Sequence, residues 1–253
     1  MHSKEEYIAV FDSGVGGVSV LRELVALMPQ EKYLYFGDSA NAPYGDRPTA
    51  QVRQLTLDAA AMLMERGIKA LVVACNTATA AAIGQLRETY PDTVIIGIEP
   101  ALKLAYDRYG AGRVGVMATQ VTLREEKFAQ QMERFPDMQV SLIPAPGLVE
   151  RIEAGQADAP ETEDLLRQLL NPYVGKLDAL VLGCTHYPFV KDTVARILGT
   201  ETELLDGSLG TARHTQHRLA EQGLLREGEG SVQIENSSGD PALIALAAKL
   251  LEK

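Results

Sequence analysis

Lys69-Ala-Leu-Val-Val-Ala-Cys75-Asn76-Thr77-Ala-Thr79 has a counterpart later in the chain, Leu177-Asp-Ala-Leu-Val-Leu-Gly-Cys184-Thr185-His186-Tyr187. In each, an apolar run long enough for one buried strand stops at a cysteine, then at hydroxyl and amide residues, and a helical pattern follows. These are the only two cysteines among 253 residues. Two thiols at equivalent strand ends point to two chemically equivalent groups facing one ligand. A lone cysteine is usually a small buried hydrophobe. Here each is expected at a helix start, where free N–H groups favour the thiolate.

Strand patterns alternate with helical ones on either side of these stretches. Tyr7-Ile-Ala-Val-Phe11 ends at Asp12-Ser13-Gly14-Val-Gly16-Gly17. Tyr33-Leu-Tyr-Phe36 ends at Gly37-Asp38, and Thr93–Ile98 ends at Glu99-Pro100. The pattern restarts at Arg113–Met117, which ends at Ala118-Thr119 and leads into a helix to about Phe135. Gln139–Ile143 follows, with a short helix carrying Glu150, a helix over about Pro160–Val174, the second cysteine strand, and Glu203–Leu205 ending at Asp206. Ser13 to Thr119 spans 106 residues, Cys75 to Cys184 109, and Glu99 to Asp206 107, so one offset recurs and predicts an internal duplication. The expected fold is α/β: two pseudo-symmetric parallel-sheet domains, 1–98 plus 207–253 and 99–206, with the active site in the cleft between them. Ligands of such sheets bind at the carboxyl ends of strands. Asp12, Ser13, Asp38, Cys75, Thr119, Cys184 and Asp206 all fall there.

Composition narrows the function. A net charge of -10 argues against a nucleic-acid partner, which needs a basic face. No apolar run reaches the ~20 residues of a membrane span, and the polar start is no signal peptide. Free thiols then suit a reducing cytoplasm. Gly14-Val-Gly16-Gly17 lacks the third glycine of a dinucleotide fingerprint, and Asp12 would oppose a pyrophosphate. Those glycines are expected to let backbone approach a small ligand. Pyridoxal phosphate would need a lysine near the strand ends, yet Lys69 and Lys176 precede their strands. His214 and His217 lack a carboxylate or thiol to complete a metal set. No cofactor and no metal are indicated. His186, beside Cys184, suits proton transfer or thiolate stabilisation better than an ordinary buried ring. Ser13, Asn76, Thr77, Thr119 and Thr185 are either plain helix caps or holders of a ligand's carboxylate and ammonium.

Phe11-Asp-Ser-Gly-Val-Gly-Gly17, Pro43-Tyr-Gly45, Ala74-Cys-Asn-Thr-Ala78 and Gly183-Cys-Thr-His-Tyr-Pro188 together resemble the motifs of bacterial glutamate racemases, within the aspartate/glutamate racemase superfamily. The likeness runs from about Ile8 to Asp206. It implies a cofactor-independent interconversion of L- and D-glutamate that supplies D-glutamate for peptidoglycan. By resemblance Cys75 and Cys184 are the acid/base thiols, Asp12 partners Cys75, and Glu150 and His186 partner Cys184. Asp12, Ser13, Tyr44, Gly45, Asn76, Thr77, Thr119, Thr185 and His186 hold the substrate. The resemblance admits a homodimer. With few residues before the first strand, activation by a peptidoglycan precursor through an N-terminal extension is not expected. A racemase of another acidic amino acid, a two-lobed binding protein with structural thiols, and a thiol redox enzyme stay open as alternatives.

Overall fold

The computed structural model describes residues 2–98, 100–124 and 126–252. The chain divides into two compact units, Met1–Glu99 with Ser208–Lys253, and Pro100–Gly207. The first begins β1 (Tyr7–Asp12), α1 (Val18–Leu27), β2 (Lys32–Gly37), α2 (Thr49–Glu65), β3 (Ile68–Val73), α3 (Asn76–Thr89) and β4 (Val94–Gly97). The second runs α4 (Leu102–Tyr109), β5 (Arg113–Ala118), α5 (Gln120–Arg124), α6 (Glu126–Glu133), β6 (Gln139–Pro144), α7 (Leu148–Glu153), α8 (Pro160–Leu170), β7 (Ala179–Leu182), α9 (Lys191–Leu198) and β8 (Glu203–Asp206). The chain then returns to the first unit with α10 (Ser208–Glu221), β9 (Ser231–Asn236) and α11 (Pro241–Glu252).

Both sheets are parallel throughout, in the orders β4-β3-β1-β2-β9 and β6-β5-β7-β8. Numbered from its own first strand, each unit contains the order 4-3-1-2. This is the duplication seen in the spacing, with β9 added to the edge of the first sheet. The central strands read as unbroken apolar runs because helices cover both faces; every residue of β3 is buried. α4 is a helix that the sequence pattern did not disclose. The helix expected over Pro160–Val174 stops at Leu170, since Pro172 has no N–H to continue it, and 171–173 form a 3-10 turn. Glu99, expected at a strand end, lies outside the described residues.

At the amino ends of the first sheet's strands the protein buries a charge. Lys69 Nζ donates to Glu31 Oε2 at 2.6 Å, to the Lys4 carbonyl at 2.7 Å and to the Leu224 carbonyl at 3.0 Å. The backbone N–H of Arg226 donates to Glu31 Oε1 at 2.8 Å. Both charged side chains are wholly buried. The ammonium's three protons are therefore all used, two on backbone from opposite ends of the chain, and the returning segment is tied to the first unit. Removing one partner of a buried pair strands the other. Lys69→Met is accordingly expected to lower the unfolding free energy by about 3–5 kcal/mol, and Lys69→Met with Glu31→Leu to recover most of that. Urea denaturation measures both; a single-variant loss below about 1 kcal/mol, the size of an exposed pair, would refute the pairing's weight.

Candidate active site

The first thiol sits where β3 gives way to α3. Cys75, two residues past the strand's end, is the N-cap of α3, and its Sγ accepts the Ala78 N–H at 3.4 Å. Ser13 Oγ lies 3.6 Å from the same sulfur. Ser13 follows the last residue of β1, so the pairing of β1 with β3 brings the two together. Asp12 is fully buried at that strand end, its Oδ1 accepting the Gly14 N–H at 2.9 Å. Gly17 makes this possible: a side-chain carbon there would stand 2.6 Å from Asp12 Cβ and 3.0 Å from Ala74 Cβ. This glycine clears room for protein atoms.

Tyr44 and Gly45 lie on a 3-10 turn, Tyr44–Asp46. The buried Tyr44 donates its O–H to Asp38 Oδ2 at 2.6 Å, and Asn41 Nδ2 also holds that carboxylate. Burial, then the bond to Asp38, pushes the phenol's pKa up, with smaller contributions from Cys75 and Asp12. Tyr44, Cys75 and Asp12 are thus electrostatic neighbours. Asn76 and Thr77 open α3 and are buried. Asn76 Oδ1 is a buried acceptor without a partner among the described residues.

The second thiol occupies the equivalent place, two residues past β7, but its surroundings differ. No α-helix starts at Cys184. Pro188 belongs to a 3-10 turn over Tyr187–Val190, and α9 starts only at Lys191. The helix-start N–H groups expected beside this thiol are therefore a feature of Cys75 alone. In their place stands His186. Its Nδ1 lies 3.6 Å from Cys184 Sγ and its Nε2 2.6 Å from Glu153 Oε1. Burial disfavours the imidazolium, but Cys184 and Glu153 on its two nitrogens outweigh that and raise its pKa well above the ordinary value.

The carboxylate on His186 is thus Glu153, a residue that the sequence reading did not single out; Glu150, expected as a partner of Cys184, lies on the same helix. Leu148 and Ile152 bury one side of α7. At ~100° per residue Glu150 points about 180° from that side and is exposed, whereas Glu153 lies about 120° away. The six-residue phase Leu148-Val-Glu-Arg-Ile-Glu153 carried this signal. Thr185 is buried beside the thiol. Thr119 is a helix cap in fact: its Oγ1 accepts the Thr122 N–H at 3.3 Å and donates to Thr122 Oγ1 at 3.0 Å. His214 and His217 are exposed on α10, and no group of three or more potential metal ligands occurs among the described residues. Nor is any described helix long and apolar enough to cross a membrane.

Two sets of residues, alike in topology, thus place a thiol and a hydroxyl residue at the carboxyl ends of strands, with Asp12 at the strand end in the first unit and Glu153, on α7, reaching His186 in the second. A family model described as Asp/Glu/Hydantoin racemase matches residues 8–215. A glutamate racemase of Clostridium perfringens is 46% identical over 98% of this chain and 97% of its own length. Among solved structures, glutamate racemase from Thermus thermophilus in complex with β-chloro-D-alanine superposes with a TM-score of 0.84 and 38% identity, covering 99% of this chain and 94% of that one. Glutamate racemase from Francisella tularensis in complex with D-glutamate gives 0.86 and 28% identity, over 99% and 95%.

Proposed function

The chain belongs to the Asp/Glu/hydantoin racemase family and is an amino-acid racemase; on that premise we propose that it interconverts L- and D-glutamate with Cys75 and Cys184 as the two acid/base groups. One observation carries the reading. The only two thiols stand two residues past the third strand of sheets that share one strand order. Inverting an α-carbon by proton transfer is easiest with one group on each face. One thiolate removes the α-proton while the opposite thiol delivers another, and exchanging roles runs the reaction backwards. A duplicated fold suits a reaction whose substrate and product are mirror images.

The supporting groups divide the work. A free cysteine has a pKa of about 8.5, so a thiolate near neutrality needs help. The first turn of α3 supplies it to Cys75, and the His186 imidazolium, held by Glu153, supplies it to Cys184. Asp12 cannot stabilise a thiolate by charge and serves as proton carrier or orienter. Negative charge develops on the substrate's carboxylate as the proton leaves, and donors among Ser13, Asn76, Thr77 and Thr185 stabilise it. Asn76 Oδ1 suits an ammonium N–H. Tyr44, Gly45 and Thr119 complete the substrate's surroundings. Glu150, on α7, is kept as a further partner on the Cys184 side. No cofactor enters these steps. The relatives' substrate favours glutamate, and a cytoplasmic supply of D-glutamate for peptidoglycan is the corresponding role.

Circular dichroism tests the activity. Pure L-glutamate and pure D-glutamate should each decay to zero signal at the same limit, while L-aspartate should change at least about tenfold more slowly. Loss of aspartate signal as fast as glutamate would overturn the substrate assignment; no loss with either would overturn the activity.

A further inference from the structure

Tyr187 is absent from every role given above, yet its position is unusual. Its backbone N–H donates to the Cys184 carbonyl at 3.1 Å, closing a tight turn that folds the residue back onto the thiol's own segment. Its side chain is fully buried, and its phenol oxygen has no hydrogen-bond partner among the described residues. A buried donor left unpaired costs roughly 1–3 kcal/mol, so such a group calls for an explanation. Packing needs only the ring, which phenylalanine would supply without that cost.

We propose that Tyr187 is a positioning residue for Cys184, its phenol O–H being held in reserve to donate to the sulfur when the thiol becomes a thiolate. The proposal rests on Cys184 being an acid/base group of the racemisation. The charged and titratable groups around the phenol are Cys184 and Glu150, with His186 and Glu153 adjoining the same thiol. Burial is the main influence keeping the phenol protonated, followed by the charges of Cys184 and Glu150. Both influences favour the protonated, donating form of the phenol. His186 already faces the sulfur from one nitrogen. A second donor, free of other bonds, would favour the anion only while it exists, lowering the barrier without adding a competing bond in the thiol state.

Tyr187→Phe isolates the effect. The chain has two cysteines, so in a Cys75→Ser background Cys184 is the sole thiol. The pH dependence of its alkylation by iodoacetamide, followed by mass spectrometry, should shift to higher pH by about half a unit or more on adding Tyr187→Phe. In the two-cysteine protein the same substitution should lower kcat about five- to tenfold, with KM changed less than twofold. Thermal unfolding should be unchanged or slightly later, because an unpaired hydroxyl is removed, which separates positioning from folding. An alkylation profile that does not move, or a kcat within twofold of the parent, would overturn the proposal. If the parent protein does not racemise glutamate, the functional reading fails by itself; the alkylation profile still decides whether the phenol reaches Cys184.

Discussion

Cys75→Ser and Cys184→Ser should each lower racemisation of glutamate by about 10³-fold or more, in both directions, with the fold intact. General acid–base groups commonly contribute 10²–10⁴-fold. A serine hydroxyl is far less acidic than a thiol, so it fails both as base and as a ready acid. Either substitution alone should suffice, because each face of the α-carbon needs its own group. The double variant should be little worse than either single one, as expected of residues acting as a unit. Kinetics from both enantiomers, with circular dichroism for the fold, measure this. A single variant retaining more than about a tenth of parental turnover would mean that one thiol is dispensable and structural.

The second large effect lies at Glu153→Gln. Its carboxylate is 2.6 Å from His186 Nε2 and helps raise the imidazole's pKa against the opposing influence of burial. Neutralising it leaves burial less opposed, so the His186 pKa falls. The alkaline limb of kcat/KM, where the imidazolium is lost, should move to lower pH, and kcat near neutrality should drop about tenfold or more. Glu150→Gln should leave that limb where it is, because Glu150 does not touch the imidazole. The same linkage appears in stability. With its folded pKa raised, His186 contributes fully below its unfolded value of about 6.5, and the contribution is lost as pH rises through the folded value. A limb unmoved by Glu153→Gln would remove Glu153 from the mechanism.

The sequence displayed the frame of this protein well because parallel strands buried on both faces leave continuous apolar runs, as in Ala70–Ala74 and Ala179–Gly183. The polar residues that halt those runs marked the carboxyl ends of the strands, so Asp12, Ser13, Cys75, Thr119 and Cys184 could be placed there before any coordinates. Two things were harder to read. The partner of His186 depended on the phase of a six-residue helix, and the sequence reading, which named Glu150 as a partner of Cys184, did not name Glu153. The local setting of Cys184 depended on Pro188, within a 3-10 turn that delays α9 to Lys191. An equivalent position in a repeat therefore did not ensure an equivalent environment. The duplicated halves surround their thiols differently, with a helix N–H on Cys75 and an imidazole beside Cys184. The buried Lys69–Glu31 pair was invisible for another reason: its partners come from four separated segments.

The central claim, one thiol on each face, is tested most directly in deuterated water. L-glutamate is incubated with the protein to a few per cent conversion, and the two enantiomers are separated and examined by mass spectrometry. The account predicts that the D-glutamate formed carries solvent deuterium at its α-carbon, while recovered L-glutamate keeps its proton. D-glutamate that retains the original proton, or deuterium entering L-glutamate as fast as D-glutamate forms, would show a single group serving both faces and would contradict it.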